Sequence, residues 1–207
     1  MEKENYHHGT LKEELIKNGL ILLNSEGVEK FSLRKVAAMC GVSHAAPYKH
    51  FKSKEEMLSV ISYRVNQDFR EYLEQVVVIH PGLDGMIAMG KAYVRYMITN
   101  KEAYQFMFLG ELKLSLRLEN DEFIYNEDSP FVPFYRAAYA NLGPMFQNPK
   151  QLNMVILNMW SQVHGLASLI ANGIVEYNQD IDELVEKMLT STCMEQQKNS
   201  LPNTICT

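Results

Sequence analysis

The stretch Ser32 to Met57, SLRKVAAMCGVSHAAPYKHFKSKEEM, leaves this chain the least freedom. Leu33, Val36, Ala37 and Cys40 recur at helical spacing and give a short helix a single apolar face, with Ser32 placed to cap it. Gly41 ends that helix, because glycine enters the left-handed conformation without steric cost, and Val42 can then drop between two helices. Ser43 is placed to cap a second short helix, His44 to Phe51, with Pro47 and Phe51 inward. Ser53-Lys-Glu-Glu56 has the form of a capping box for a third. A helix, a tight glycine turn and a second short helix predict a helix-turn-helix over residues 32–51, whose second member enters a DNA major groove.

Charge separates this reading from plain helical packing. Between Gly27 and Lys54 there are six cations, Lys30, Arg34, Lys35, Lys49, Lys52 and Lys54, against one acid, Glu29, although the whole chain carries −5. Residues 1–55 sum to +2 and the remainder to −7. A basic end on an acidic body suits a protein that grips a phosphate backbone at one end. Within the motif, Ser43, His44, Ala45, Tyr48 and Lys49 are expected to face outward. His44 suits a guanine edge or a phosphate and Ala45 a thymine methyl, while Tyr48, His50 and Lys54 suit phosphate positioning. Ser32 and Arg34 complete the expected DNA-contacting set.

The order Ser32-x-Arg34-x-Val36-Ala37-x-x-Cys40-Gly41-Val42-Ser43, followed by Tyr48-x-His50-Phe51-x-Ser53-Lys54-Glu55-Glu56, closely resembles the DNA-binding domain of the tetracycline-repressor (TetR) family of bacterial transcription regulators. Pro47 departs from the leucine-like residue that most of the family has there. The resemblance implies an all-α protein of about nine helices: a three-helix DNA-binding domain over 9–72 and a helical ligand-binding and dimerisation domain over 83–193; the polar composition of 194–207 predicts a disordered tail. Farther along, Trp160-Ser-Gln-Val-His164-Gly165 resembles a Trp-x-x-x-His-Gly signature of one TetR branch.

The remaining chain reads as helices with clear breaks. Leu11, Leu15, Ile16, Leu20, Leu22 and Leu23 stripe a first helix that Gly27 interrupts, and before it Met1 to Gly9 is a polar arm containing His7 and His8. Met57, Ile61, Val65, Phe69, Tyr72 and Val76 keep one face of a helix from Lys54 to about Ile79, a rod of roughly 39 Å. His80-Pro81-Gly82 ends it. Helices are also expected after Leu83, over Ala103 to Leu109, from Phe131 to the Gly143-Pro144 break, from Lys150 to Asn172 and from Ile181 to about Cys193, whereas Leu118 to Pro130 lacks an apolar period and predicts a loop.

Soft methionines and amphipathic aromatics suit an adaptable hydrophobic pocket, and Met89, Tyr93, Met97, Phe108, Phe134, Tyr135, Trp160 and His164 are its expected lining. Apolar residues surround the 150–172 helix, so cover from a second subunit is expected. Val155, Met159, Val163, Leu166 and Ile170 with Leu184 and Met188 are the expected dimer interface, half of a four-helix bundle.

The basic helix-turn-helix predicts a DNA-binding regulator, and the resemblance implies a homodimeric repressor released from a near-palindromic double-stranded operator by an unknown small hydrophobic or amphipathic effector. The alternative is a DNA-bound factor answering to a protein partner. An enzyme is disfavoured, because the chain has no nucleophile elbow, phosphate-binding glycine loop or HExxH. No cofactor and no metal are expected; Cys40, Cys193 and Cys206 have no metal-ligand spacing. With no signal-peptide pattern and no membrane association expected, the cytoplasm is the expected compartment.

Overall fold

A computed structural model of the chain describes residues 8–79, 83–109, 116–127, 129 and 131–200. Among them are eight α-helices, joined by short 3-10 and π turns, and one small hairpin. The helices are α1 (His8–Lys30), α2 (Leu33–Met39), α3 (Lys54–Ile79), α4 (Leu83–Thr99), α5 (Lys101–Tyr104), α6 (Phe131–Leu142), α7 (Pro149–Ala171) and α8 (Ile181–Ser200). The fold is all-α, with an N-terminal helix-turn-helix and a helical C-terminal part. His7 and the His80-Pro81-Gly82 break lie outside the described residues.

The chain forms two compact units, Met1–Asp68 with Lys101–Leu114 and Phe69–Asn100 with Ser115–Thr207. In the first, Gly27 interrupts α1 with φ +78°, where the sequence places the break. Leu15, Ile16, Leu22 and Leu23 of α1 are buried with Phe31, Leu33, Val36 and Ala37. Gly19 permits a close approach to α3, since a Cβ there would lie 2.8 Å from Ile61 Cδ1 and from Met57 Cε. Residues 101–109, expected in the C-terminal domain, group here instead: α5 and the π turn Gln105–Leu109 pack on α1. Asn24 Nδ2 donates to the Glu102 carbonyl at 2.7 Å, and Tyr104, Phe106 and Met107 are buried.

Along α3 the buried stripe is Met57, Ile61, Val65, Phe69 and Leu73, each contributing roughly 1.5–3 kcal/mol by leaving water. The strict four-residue step carries the stripe to Leu73, and Tyr72, expected on it, is exposed.

The second unit is built on α4, which packs against α6, α7 and α8. Gly90 makes the approach possible, because a Cβ there would lie 2.5 Å from Leu189 Cδ1 and 3.4 Å from the γ-carbons of Val163 and Val185. The expected loop over 118–130 is corrected in part. Arg117–Glu119 (β1) pairs antiparallel with Glu122–Ile124 (β2) in the register Leu118↔Phe123. Asn120 and Asp121, at φ +52° and +65°, form the two-residue turn, and both residue types tolerate that region. The hairpin buries too little to show a period: it turns Phe123 onto Phe131 and Tyr135, at ring separations of 4.8 and 5.6 Å. Asn153 Nδ2 anchors the turn by donating to the Asp121 carbonyl at 2.8 Å.

The α8 helix runs through residues 195–200, part of the expected disordered tail, while residues 201–207 lie outside the described part. Of the described helices, α7 is long and apolar enough to cross a membrane. Its buried stripe, however, packs on α4, α6 and α8 of its own unit, as the core helix of a globular body does.

Candidate functional site

The helix-turn-helix is capped at each junction. At the start of α2, Lys35 N–H donates to Ser32 Oγ at 3.3 Å. At its end, Val42 N–H reaches the Ala37 carbonyl at 3.0 Å and Gly41 N–H the Ala38 carbonyl at 3.1 Å, with Gly41 at φ +67°. This pair of bonds is the Schellman motif, and a side chain at position 41 would strain it. Asn18 of α1 donates to Cys40 Sγ at 3.3 Å, and burial pushes the Cys40 thiol pKa up, keeping it protonated and poorly reactive.

The second helix, expected from His44 to Phe51, is shorter than that. Residues 44–46 form a turn closed by Ala46 N–H to the Ser43 carbonyl at 2.9 Å, and Pro47–Lys49 is a single 3-10 turn. The cause is Pro47. It has no N–H to return to the Ser43 carbonyl, so a helical ladder cannot run through this point and begins with proline at its first position. Ser43 therefore contributes its carbonyl where a side-chain cap was expected. Lys49 N–H then bonds Ala46, and the N–H groups of His50 and Phe51 share the Pro47 carbonyl at 2.9 Å.

Packing sorts the side chains of this segment. Pro47 is buried and Phe51 is 1 % exposed, anchoring the segment from beneath. Ser43, His44, Ala45 and Lys49 are exposed, and Tyr48 is 60 % exposed, a large ring with little internal packing. Arg34 is exposed on α2, whereas Ser32 is half-buried with its hydroxyl committed to the cap. His50 is half-buried beside Phe51. Lys54 is half-buried too, its ammonium donating to the Val28 carbonyl, which ties the start of α3 to the last turn of α1. Lys35 pairs with Glu26.

The capping box at α3 forms with a shifted partner. Glu56 N–H donates to Ser53 Oγ at 3.2 Å, but the Glu56 carboxylate accepts from Lys52 N–H at 2.5 Å, one residue early. Glu55, held by its own backbone N–H and by the Ser53 hydroxyl, has its carboxyl pKa lowered.

Of the expected pocket lining, Met89, Tyr93, Met97 and Phe134 are fully buried core of the second unit. Trp160 stacks near Phe131 and His164, at 5.0 and 6.0 Å. His164 Nδ1 is hydrogen-bonded to the Tyr93 hydroxyl at 2.9 Å, and burial pushes its pKa down, favouring the neutral ring. The Tyr135 hydroxyl donates to Asn153 Oδ1 at 3.3 Å, and burial raises its pKa. Phe108 groups with the first unit, where its ring lies 5.8 Å from that of Tyr104 and its segment packs on α1. A surface cleft of about 450 Å³ in the second unit, lined by Tyr72, Val76, α4 and the start of α8, uses none of the expected pocket residues. No three His, Cys, Asp or Glu side chains among the described residues could share a metal ion.

The residues of the expected dimer interface differ in their burial within the chain. Val155, Met159, Val163 and Leu166 are buried within their own chain, Leu166 at 9 % exposure, because this stripe of α7 faces the rest of its unit. Ile170, Leu184 and Met188 are half-buried. The uncovered face of α7 is Met154, Asn158, Ser161 and Leu169, with half-buried Gly165 among them. A Cβ on Gly165 would meet nothing within 4 Å in the chain.

A capped helix, a glycine turn and an anchored but exposed segment, in an all-helical chain, define the class as a helix-turn-helix protein. A family model for bacterial regulatory proteins of the tetR family matches residues 15–61, and one for the tetracyclin repressor-like C-terminal domain matches residues 86–192, more than half of the chain. The chain belongs to the tetR family of bacterial transcription regulators.

Solved structures share the fold at low sequence identity. A Rhodococcus sp. RHA1 protein of unknown function is 22 % identical, with a TM-score of 0.67 over 93 % of this chain and 98 % of its own. A TetR-like transcriptional regulator from the same organism is 13 % identical, at 0.64 over 91 % and 96 %. A bacterial regulatory protein in the tetR family, also from Rhodococcus, is 13 % identical, at 0.57 over 88 % and 95 %. No curated protein matches the chain in sequence.

Proposed function

We propose that this protein is a cytoplasmic, homodimeric, non-enzymatic repressor that holds a near-palindromic operator and leaves it when a small hydrophobic or amphipathic effector binds. The observation that carries the reading is the exposed run Ser43, His44, Ala45, Tyr48 and Lys49 held over buried Pro47 and Phe51. An outward segment on a rigid support is what base reading requires, since a loosely held reader would lose geometry and affinity together.

In this reading His44 and Ala45 face base edges, while Arg34, Tyr48 and Lys49 hold phosphates. Ser32 acts through the cap it forms. His50 and Lys54 support the reading segment, a change of role suggested by their burial and by the Lys54 bond to Val28. The partner copy lies on the Met154 and Leu169 face of α7, together with Ile170 and the Leu184 and Met188 side of α8. The effector site includes the Trp160, His164 and Tyr93 group, where an apolar surround meets one hydrogen-bonded pair.

Selection of duplexes from a random pool tests this reading. The expected product is an inverted repeat whose half-sites lie about one helical turn, roughly 34–36 Å, apart. Recovery of unrelated duplexes, or of a lone half-site, would oppose it.

A further inference from the structure

We propose that the cleft on the outer side of α4 is a second small-molecule site, one that takes a flat organic monocation such as an amidine or aryl amine. Its volume of about 450 Å³ is within the range of small-molecule sites. The whole cleft lies in the second unit, and its occupancy does not depend on the protein regulating a gene.

One face of α4 supplies the floor, with Ile87, Ala88 and Ala92 as its apolar part, and Tyr72 and Val76 of α3 form one wall. Asp182 and Glu186 of α8 form the other. Two ion pairs close that wall onto α4: Lys91 Nζ to Glu186 at 2.6 Å, and Arg95 to Asp182. Both cations are thereby already matched, which leaves little attraction for an anion. The third carboxylate, Asp84, is exposed and has no ion-pair partner among the described residues. In addition, Asp182 Oδ1 is buried without a hydrogen-bond donor among the described residues.

The cleft therefore carries one excess negative charge, with the Tyr72 ring in its lining. The Tyr72 ring is part-exposed and held by Tyr96 at 5.2 Å, a surface for a planar group or a cation–π contact. A monocation with a flat apolar body meets both requirements at once: charge toward Asp84 and its face on Tyr72.

Calorimetric titration of the full chain with benzamidine, benzamide and benzoate tests the assignment, because the three probes share size and shape and differ in charge. Benzamidine is expected to bind saturably and most tightly. Asp84→Asn and Tyr72→Leu should each weaken it, the former by about tenfold, the scale of a lost charge-assisted hydrogen bond. Equal or tighter binding of benzamide or benzoate, no saturable binding of benzamidine, or unchanged benzamidine affinity in both variants would overturn it. Asp84 is exposed in the first turn of α4, so unliganded Asp84→Asn should melt close to the parent.

Discussion

Tyr93 and His164 join α4 to α7 by a 2.9 Å hydrogen bond between the tyrosine hydroxyl and Nδ1 of the imidazole. Trp160, one turn earlier on α7, stacks beside the same imidazole. Burial is the cause of the lowered His164 pKa, and it sets the sign of the pH dependence. An unfolded histidine takes up a proton near pH 6.5 while the folded one resists it, so the unfolded state binds more protons below that pH. Stability is therefore unaffected by this group above about pH 7 and falls as pH drops through about 6.5 toward the folded-state value. Thermal melts at pH 7.5 and 5.5 should show a drop that His164→Asn makes smaller; an equal drop in both proteins would remove His164 as its source.

Gly90 sits where α4 meets Val163, Val185 and Leu189. Alanine is the better helix former by about 1 kcal/mol, but its methyl would land 2.5 Å from the Leu189 side chain, which is buried and has little room to yield. Overpacking costs roughly 1–3 kcal/mol, so Gly90→Ala is expected to lower stability modestly in urea melts. The same change at Gly165, where a Cβ meets nothing in the chain, should leave the isolated chain as stable or slightly more so. A reversed order of the two variants would show that the helices are spaced differently.

Two lysines of the basic stretch should behave differently. Lys49 is exposed, so Lys49→Ala is expected to weaken binding to any duplex and to reduce the salt slope by about one unit without altering the melting temperature. Lys54 donates to the Val28 carbonyl, so Lys54→Ala should lower stability by about 0.5–1.5 kcal/mol. Salt-dependent binding isotherms and melts of both variants separate the roles; identical profiles would contradict the division.

A charge at Leu166 would enter the folded core and unfold the chain before it could report on assembly. Leu169, three residues on and 40 % exposed at the edge of the uncovered face, is the better probe. Leu169→Glu is expected to yield a folded monomer with weakened operator binding by light scattering and anisotropy. A folded dimer with full affinity would place the interface elsewhere.

Long periodic elements were legible from sequence because they repeat a signal: the bounds of α3 follow from its caps and its four-residue apolar step. Short ones were not. The segment after Gly41 looked helical by spacing, yet the missing N–H of Pro47 outweighs spacing when only two turns are available. The β1–β2 hairpin has one well-packed side chain, Phe123, too few for a period, although Asn120-Asp121 was a readable turn signal. On α7, apolarity all round calls for cover on several sides, but spacing does not say which side its own unit fills. The pairing of Tyr93 with His164 and the position of Phe108 depend on contacts far apart in sequence, which no local pattern encodes.

If residues 43–49 read DNA, His44 carries the base contact whose loss is easiest to measure. Fluorescence anisotropy should compare the parent and His44→Ala on the selected operator and on a scrambled duplex of the same length and salt. The expected result is a loss of about tenfold on the operator, the scale of one base contact, with scrambled-duplex affinity unchanged. Equal affinities of parent and variant on the operator would contradict it.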